Sequence, residues 1–231
     1  MKRFWKDVSV EAAEAGWRVT LDGRAIRTQG KRPQLVPGEA MARALAAEWA
    51  AQGEEVDPEA FPLRDLADYA IDVVLPDPAV AIEAILPYGD TDTLCYRADE
   101  GEALHLRQIA VWEPILSAAE TRFDIHFERV SGIVHRAQPP ATLTRLRAVV
   151  AAQDAFTLAA LQTLASLSAS LTVALAALEP GADIEALWDA ANLEEDWQAD
   201  LWGKDAQAEA RRARRKAGFE LAVRFAEMAR G

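Results

Sequence analysis

Cysteine is almost missing from this chain of 231 residues: Cys95 stands alone, so neither an intramolecular disulfide nor a thiolate metal cluster can form. That usage points to a reducing compartment. Glycine is scarce as well. The 12 glycines spell no G-x-x-x-x-G-K-[ST], no G-x-G-x-x-G and no G-x-S-x-G, which removes the usual machinery of nucleotide hydrolysis and of serine hydrolases. The three histidines, His105, His126 and His135, form no H-E-x-x-H and no i, i+4 pair, and read as ordinary surface or core residues.

Positive charge is in deficit. Lysine and arginine number 25 against 37 acidic residues, a net charge of −12 that repels phosphate backbones and argues against nucleic acid as the main ligand. The deficit is uneven: residues 1–32 carry 8 basic and 4 acidic side chains, whereas residues 39–128 carry 5 and 20. The short basic run Arg211-Arg212-Ala213-Arg214-Arg215-Lys216 reads as a solvated helix face. At the amino terminus, Met1-Lys2-Arg3-Phe4-Trp5-Lys6-Asp7 has no apolar run after its basic residues, so no signal or transit peptide is expected. Ala155 to Leu178 is free of charge and long enough to cross a bilayer. Thr157, Gln162, Thr163, Ser166, Ser168, Ser170 and Thr172 interrupt it and alanine dominates, so it is expected to be a buried central helix and no stable membrane insertion is expected.

What is present is an ordinary globular composition, 51% hydrophobic and 27% charged. The first thirty or so residues read as strand and hairpin. Trp17, Val19 and Leu21 alternate, Asp22-Gly23 follows, and Arg24 to Thr28 alternate again, which is the pattern of a type I′ turn between two strands. Gln34-Leu35-Val36 adds a short strand. A helix begins after Pro37-Gly38 and is capped at Gly53. Glu54-Glu55-Val56-Asp57-Pro58 reads as a hinge. Helices are then expected over Leu63–Leu75, Val80–Leu86, Glu102–Phe123, Pro140–Leu178, Ile184–Trp202 and Ala206–Met228, with a kink or restart at Pro114. Thr93–Arg97 and Asp124–Val130 alternate like strands and predict a small hairpin among the helices. The expected class is α+β, a small β-rich amino-terminal domain (1–57) followed by a larger, mainly helical carboxy-terminal domain (58–231).

Two clusters carry candidate chemistry. In Tyr88-Gly89-Asp90-Thr91-Asp92-Thr93, Asp90 and Asp92 could ligate a hard cation, although the loop lacks the remaining oxygen ligands of a calcium site and local hydrogen bonding accounts for it as well. In Glu194-Glu195-Asp196-Trp197-Gln198-Ala199-Asp200-Leu201-Trp202-Gly203, helical spacing stacks Leu193, Trp197 and Leu201 toward a core. Glu194, Gln198 and Trp202 fall on the neighbouring stripe, a combination that suits recognition better than catalysis; a helix simply ending at Gly203 with core tryptophans is the plain alternative.

In this order the pieces resemble the F1-ATPase assembly chaperones that attend the alpha subunit of ATP synthase. The resemblance runs from Arg3-Phe4-Trp5-Lys6 through Leu21-Asp22-Gly23-Arg24 with Thr28, Glu48-Trp49 with Gln52 and Pro62-Leu63. It continues through Tyr88-x-Asp90-Thr91-Asp92-Thr93-Leu94-Cys95-Tyr96, Gln108 with Trp112-x-Pro114 and Gly132-Ile133 to Glu194 or Glu195, Gln198 and Trp202-Gly203. It implies a two-part fold, no enzymatic activity and no cofactor. The implied function is ATP-independent binding of unassembled F1 alpha subunit, preventing its aggregation and promoting alpha/beta assembly. The partner-binding residues it implies are Glu194, Glu195, Gln198, Trp202, Trp49 and Trp112, with either glutamate able to fill the family's acidic position. A monomer in the bacterial cytoplasm is expected, eukaryotic relatives working in the mitochondrial matrix. The alternative from a different class is a metal-dependent hydrolase using Asp90 and Asp92.

Overall fold

The computed structural model describes residues 2–132, 134–203 and 205–231; Ile133 of the motif Gly132-Ile133 falls outside them. The class is α+β, a small sheet followed by a mainly helical remainder. The chain forms two compact units. One holds the segment ending at Ala81 with Asp154–Ala160 and the segment from Arg224 onward; the other holds Ile82–Gln153 and Leu161–Val223.

In the first unit, strands β1 (Val8–Ala13), β2 (Gly16–Leu21) and β3 (Arg24–Ala25) form an antiparallel sheet in that order. Asp22 and Gly23 have φ of 49° and 76°, the left-handed pair that a type I′ turn needs. Val36 pairs with Trp17 as a single bridge rather than as a strand. Helix α1 (Glu39–Ala50) packs on β1 and β2 and buries Met41, Ala42 and Leu45. Beside it Trp5, Trp49 and Phe61 stack in sequence, with ring centroids 5.0 and 4.7 Å apart, favourable tilted and edge geometries.

Carboxylates tie the loops of this unit to α2 (Pro62–Tyr69), which runs on into a π turn at Ala70–Val74. Glu48 accepts the N–H groups of Leu63 and Arg64 and so caps α2 from a distance, at 2.7 and 2.9 Å. Asp68 accepts from Gln29 N–H and Gln34 Nε2, and Asp72 from Thr28 Oγ1 and Gly30 N–H. A Cβ on Gly30 would lie 2.7 Å from the Asp72 carboxylate, so a larger residue there would have to displace that carboxylate. Burial pushes Glu48 and Asp68 above the usual carboxylate range despite these bonds.

The other residues form α3 (Pro78–Ile85), the single turn α4 (Pro87–Asp90), β4 (Tyr96–Arg97), α5 (Ala103–Phe123), β5 (Val130–Ser131), α6 (Pro140–Ala151), α7 (Ala155–Ser168), α8 (Leu171–Ala177), α9 (Ile184–Ala191), α10 (Leu193–Trp202) and α11 (Ala206–Arg230). Helix α5 buries Gln108, Trp112, Leu116 and Ala119, and it continues through Pro114 as one helix. The charge-free stretch is interior: α8 is buried almost throughout, as are Leu158, Leu161 and Leu164 of α7. No helix among the described residues is long and apolar enough to cross a membrane.

Three further expected elements differ. The single stretch Pro140–Leu178 is three helices, because Asp154 caps α7 through Phe156 and Thr157 N–H, and Ala169 turns left-handed (φ 50°) before Ser170 caps α8. The stretch Ile184–Trp202 breaks at Asn192, whose amide donates to the Trp188 carbonyl. The expected hairpin of Thr93–Arg97 with Asp124–Val130 is absent from the described residues. Thr93–Cys95 is a 3₁₀ turn, and only Tyr96–Arg97 and Val130–Ser131 pair, in parallel. Side chains take the place of a strand partner there: Glu120 accepts Phe127 N–H and Gln138 accepts Glu128 N–H.

Candidate functional site

The candidate site is built on α10. Glu194, Glu195 and Asp196 fill its first turn, where the helix dipole favours acids, and Gly203 ends it with φ 93°. The turn is aimed by α5. Gln108, with no solvent exposure, donates its Nε2 to Glu194 Oε1 at 2.7 Å while its Oε1 accepts Ala98 N–H at 2.8 Å. Four residues along, the buried Trp112 donates its indole N–H to the Ala190 carbonyl at 2.7 Å. One glutamine and one tryptophan thus anchor the α9–α10 segment to α5.

Beneath this anchor lies a charged lattice. Arg97, buried, donates to the Leu94 carbonyl and to Glu113 at 2.8 Å. Arg129 bonds the other oxygen of Glu113 at 2.6 Å and both oxygens of Glu120. Burial alone would raise Glu113 and Glu120, but the guanidinium bonds prevail and hold both below the usual range. The lattice fixes Tyr96–Arg97, which lines a hollow with Glu194 and Gln198, and through Arg129 it also holds the Phe127 carbonyl.

The two adjacent glutamates face different surroundings. Glu194 lines a hollow of about 440 Å³ with Tyr96, Asp99, Glu102, Leu104 and Gln198. Glu195 lies 3.7 Å from Arg215 and lines a hollow of about 240 Å³ with Gln198, Trp202, Arg211 and Arg212. Gln198 borders both. Trp202 is 78% exposed, and Leu201, expected in the core, is 60% exposed because α10 ends there with only Leu193 buried. The structure therefore gathers Glu194, Glu195, Gln198 and Trp202 on one accessible helix. Trp112 lies under that helix and serves it from inside. Trp49 belongs to the other unit, in the stack with Trp5 and Phe61, and among the described residues no acceptor reaches its buried indole N–H.

Gln108 was legible only as a motif residue; its role as the clamp on Glu194 depends on a contact spanning 86 positions. Asp90 and Asp92 do not converge. Asp90 accepts Gln138 N–H at 2.9 Å, whereas Asp92, fully buried, accepts Leu94 and Thr172 N–H at 3.1 and 2.8 Å and so caps a 3₁₀ turn and α8 together. Burial raises its carboxyl above the ordinary range. The histidines are dispersed as well: His105 meets the Ala98 carbonyl, His126 Glu120 and His135 the Tyr96 hydroxyl.

Among known proteins, the family model described as ATP12 chaperone protein matches residues 2–120. Two crystal structures of Paracoccus denitrificans Atp12, one of them of a single-residue mutant, are 38% identical with TM-scores of 0.92; the alignments cover 99% of this chain and 97–98% of those chains. A protein of Agrobacterium tumefaciens described as a candidate chaperone is also 38% identical with a TM-score of 0.92, covering 98% of this chain and 85% of its own.

Proposed function

The chain belongs to the ATP12 chaperone family, and on that premise we propose that it is an ATP-independent assembly chaperone for the F1 sector of ATP synthase. It binds the unassembled alpha subunit, keeps it from aggregating and promotes its pairing with the beta subunit. It acts as a monomer in the bacterial cytoplasm, without a cofactor and without bond-making chemistry.

One observation carries this reading: a carboxylate, Glu194, oriented by a fully buried amide, stands on the same exposed helix as an almost bare tryptophan. An aromatic side chain held out in water costs free energy unless a partner covers it, and a fixed carboxylate beside it supplies direction. The orphan alpha subunit is such a partner, since subunits of a ring expose apolar faces before assembly. Charge adds rejection of nucleic acid at −12.

The test is aggregation of purified, unassembled alpha subunit followed by light scattering. Glu194→Gln with Glu195→Gln should keep the melting profile and lose protection, since loss of an interface hot spot of about 2 kcal/mol weakens binding roughly 30-fold. The single variants assign the role to one of the two, and Glu194 is expected. Wild-type protein that leaves alpha-subunit aggregation unchanged would refute the reading.

A further inference from the structure

A cleft of about 590 Å³ lies along α5, α8 and α9 and shares no lining residue with the hollows bordered by Gln198. Its lining is mainly apolar: Val111, Pro114 and Ile115 come from α5, Leu175 from α8, Leu187 from α9 and Ala182 from the link between the last two. Ala118 and Ala186, on opposite walls, are exposed. All of it belongs to a single unit.

We propose that this cleft receives an amphipathic helix of the client subunit, apolar face inward, with an arginine or lysine at the end that meets Asp183. This deepens the chaperone reading above and rests on it. Three physical arguments select that occupant. The walls are helices whose backbone groups are already bonded, so an extended segment would strand its own N–H and C=O groups against apolar side chains, whereas a helix satisfies its own. Alanines on both walls let a helix axis approach to about 8–10 Å, the distance of ordinary helix packing. Charge settles the remainder. Arg122 and Glu179 pair with each other at 2.5 Å across the cleft lining and cancel. Asp183 gives one oxygen to Ala186 N–H and meets no cation among the described residues. The lining is thus net negative in a chain of −12, which repels a second copy and attracts a cation-bearing partner.

The experiment titrates the full-length protein, by calorimetry, with a synthetic 18-residue helix carrying leucines at i, i+3, i+4 and i+7 and an arginine pair at one end, and with a twin carrying glutamates instead. The arginine peptide should bind at least about tenfold more tightly than its twin, and Asp183→Asn, which still caps α9, should narrow that gap. Ala118→Trp fills the cleft from an exposed position and should abolish binding; Ala213→Trp, on the exposed face of α11, should not. Equal binding of the two peptides, no binding of either, or undiminished binding by Ala118→Trp overturns the proposal. The same variants go into the alpha-subunit scattering assay. If wild type and Ala118→Trp protect equally, the cleft is not the client's seat while the chaperone reading stands. If wild type does not protect, the reading itself falls and takes the cleft with it.

Discussion

The clamp between Gln108 and Glu194 can be isolated by a double-mutant cycle of Gln108→Ala and Glu194→Ala. Gln108 is wholly buried, and its truncation removes two bonds: the 2.7 Å bond to the Glu194 carboxylate and the 2.8 Å bond from Ala98 N–H. A hydrogen bond to a charged group is worth about 1.5–3 kcal/mol, and a buried donor left without a partner costs about 1–3 kcal/mol. Because Ala98 is only half-buried, water recovers part of the second quantity. The single Gln108→Ala variant should therefore lose roughly 2–4 kcal/mol, or about 4–16 °C in Tm for a chain of this length. Glu194→Ala leaves the Nε2 of the wholly buried Gln108 without its acceptor and should cost about 1–3 kcal/mol. The pairwise coupling should be about 1–2 kcal/mol, read from urea denaturation followed by tryptophan fluorescence. A coupling below about 0.3 kcal/mol would mean that the bond does not order α10, and the account of how the site is aimed would be wrong.

Trp112→Phe keeps the ring packing but strands the Ala190 carbonyl, now bonded at 2.7 Å, and should cost about 1–3 kcal/mol in the same assay. Glu113 and Glu120 have folded pKa values below their ordinary 4.5, so the stability they confer is complete above that pH and lost as pH falls through their folded values. Wild type should therefore weaken steeply in acid, and Glu113→Gln with Glu120→Gln should be less stable at neutral pH with a flatter acid limb in urea melts from pH 6 to 3; an unchanged slope would count against the lattice. The Cys95 thiol is buried and burial pushes its pKa well up. It should resist aromatic disulfide reagents in the native state and react fully in urea, and rapid native labelling would contradict its placement.

Much of the local structure is readable without coordinates because it rests on short-range physics. Asp22-Gly23 specifies its turn through backbone sterics alone, and Pro37-Gly38 marks the start of α1, with Gly38 extended at its N-cap. The α+β class follows from where alternation yields to helical spacing. Breaks inside apolar helical runs are harder to read: Ala169 adopts a left-handed conformation that no alanine advertises, and Asn192 interrupts a pattern that is helical on both sides. The alternation of Asp124–Val130 misleads because side-chain acceptors, Glu120 and Gln138, replace a strand partner.

The candidate site divides along the same line. Glu194, Gln198 and Trp202 share a stripe because 3.6 residues make a turn, a periodicity written in the residue order. Periodicity placed Leu201 inward as wrongly as it placed Leu193 rightly, since depth depends on what packs opposite, and opposite Leu201 there is only solvent. That Glu194 is clamped and Glu195 is not follows from Gln108, 86 residues earlier, being buried at the right height on α5. Spacing along a chain sets which side chains can share a face; which of them is held, covered or left bare is set by contacts between segments far apart in sequence, and those exist only once the chain has folded.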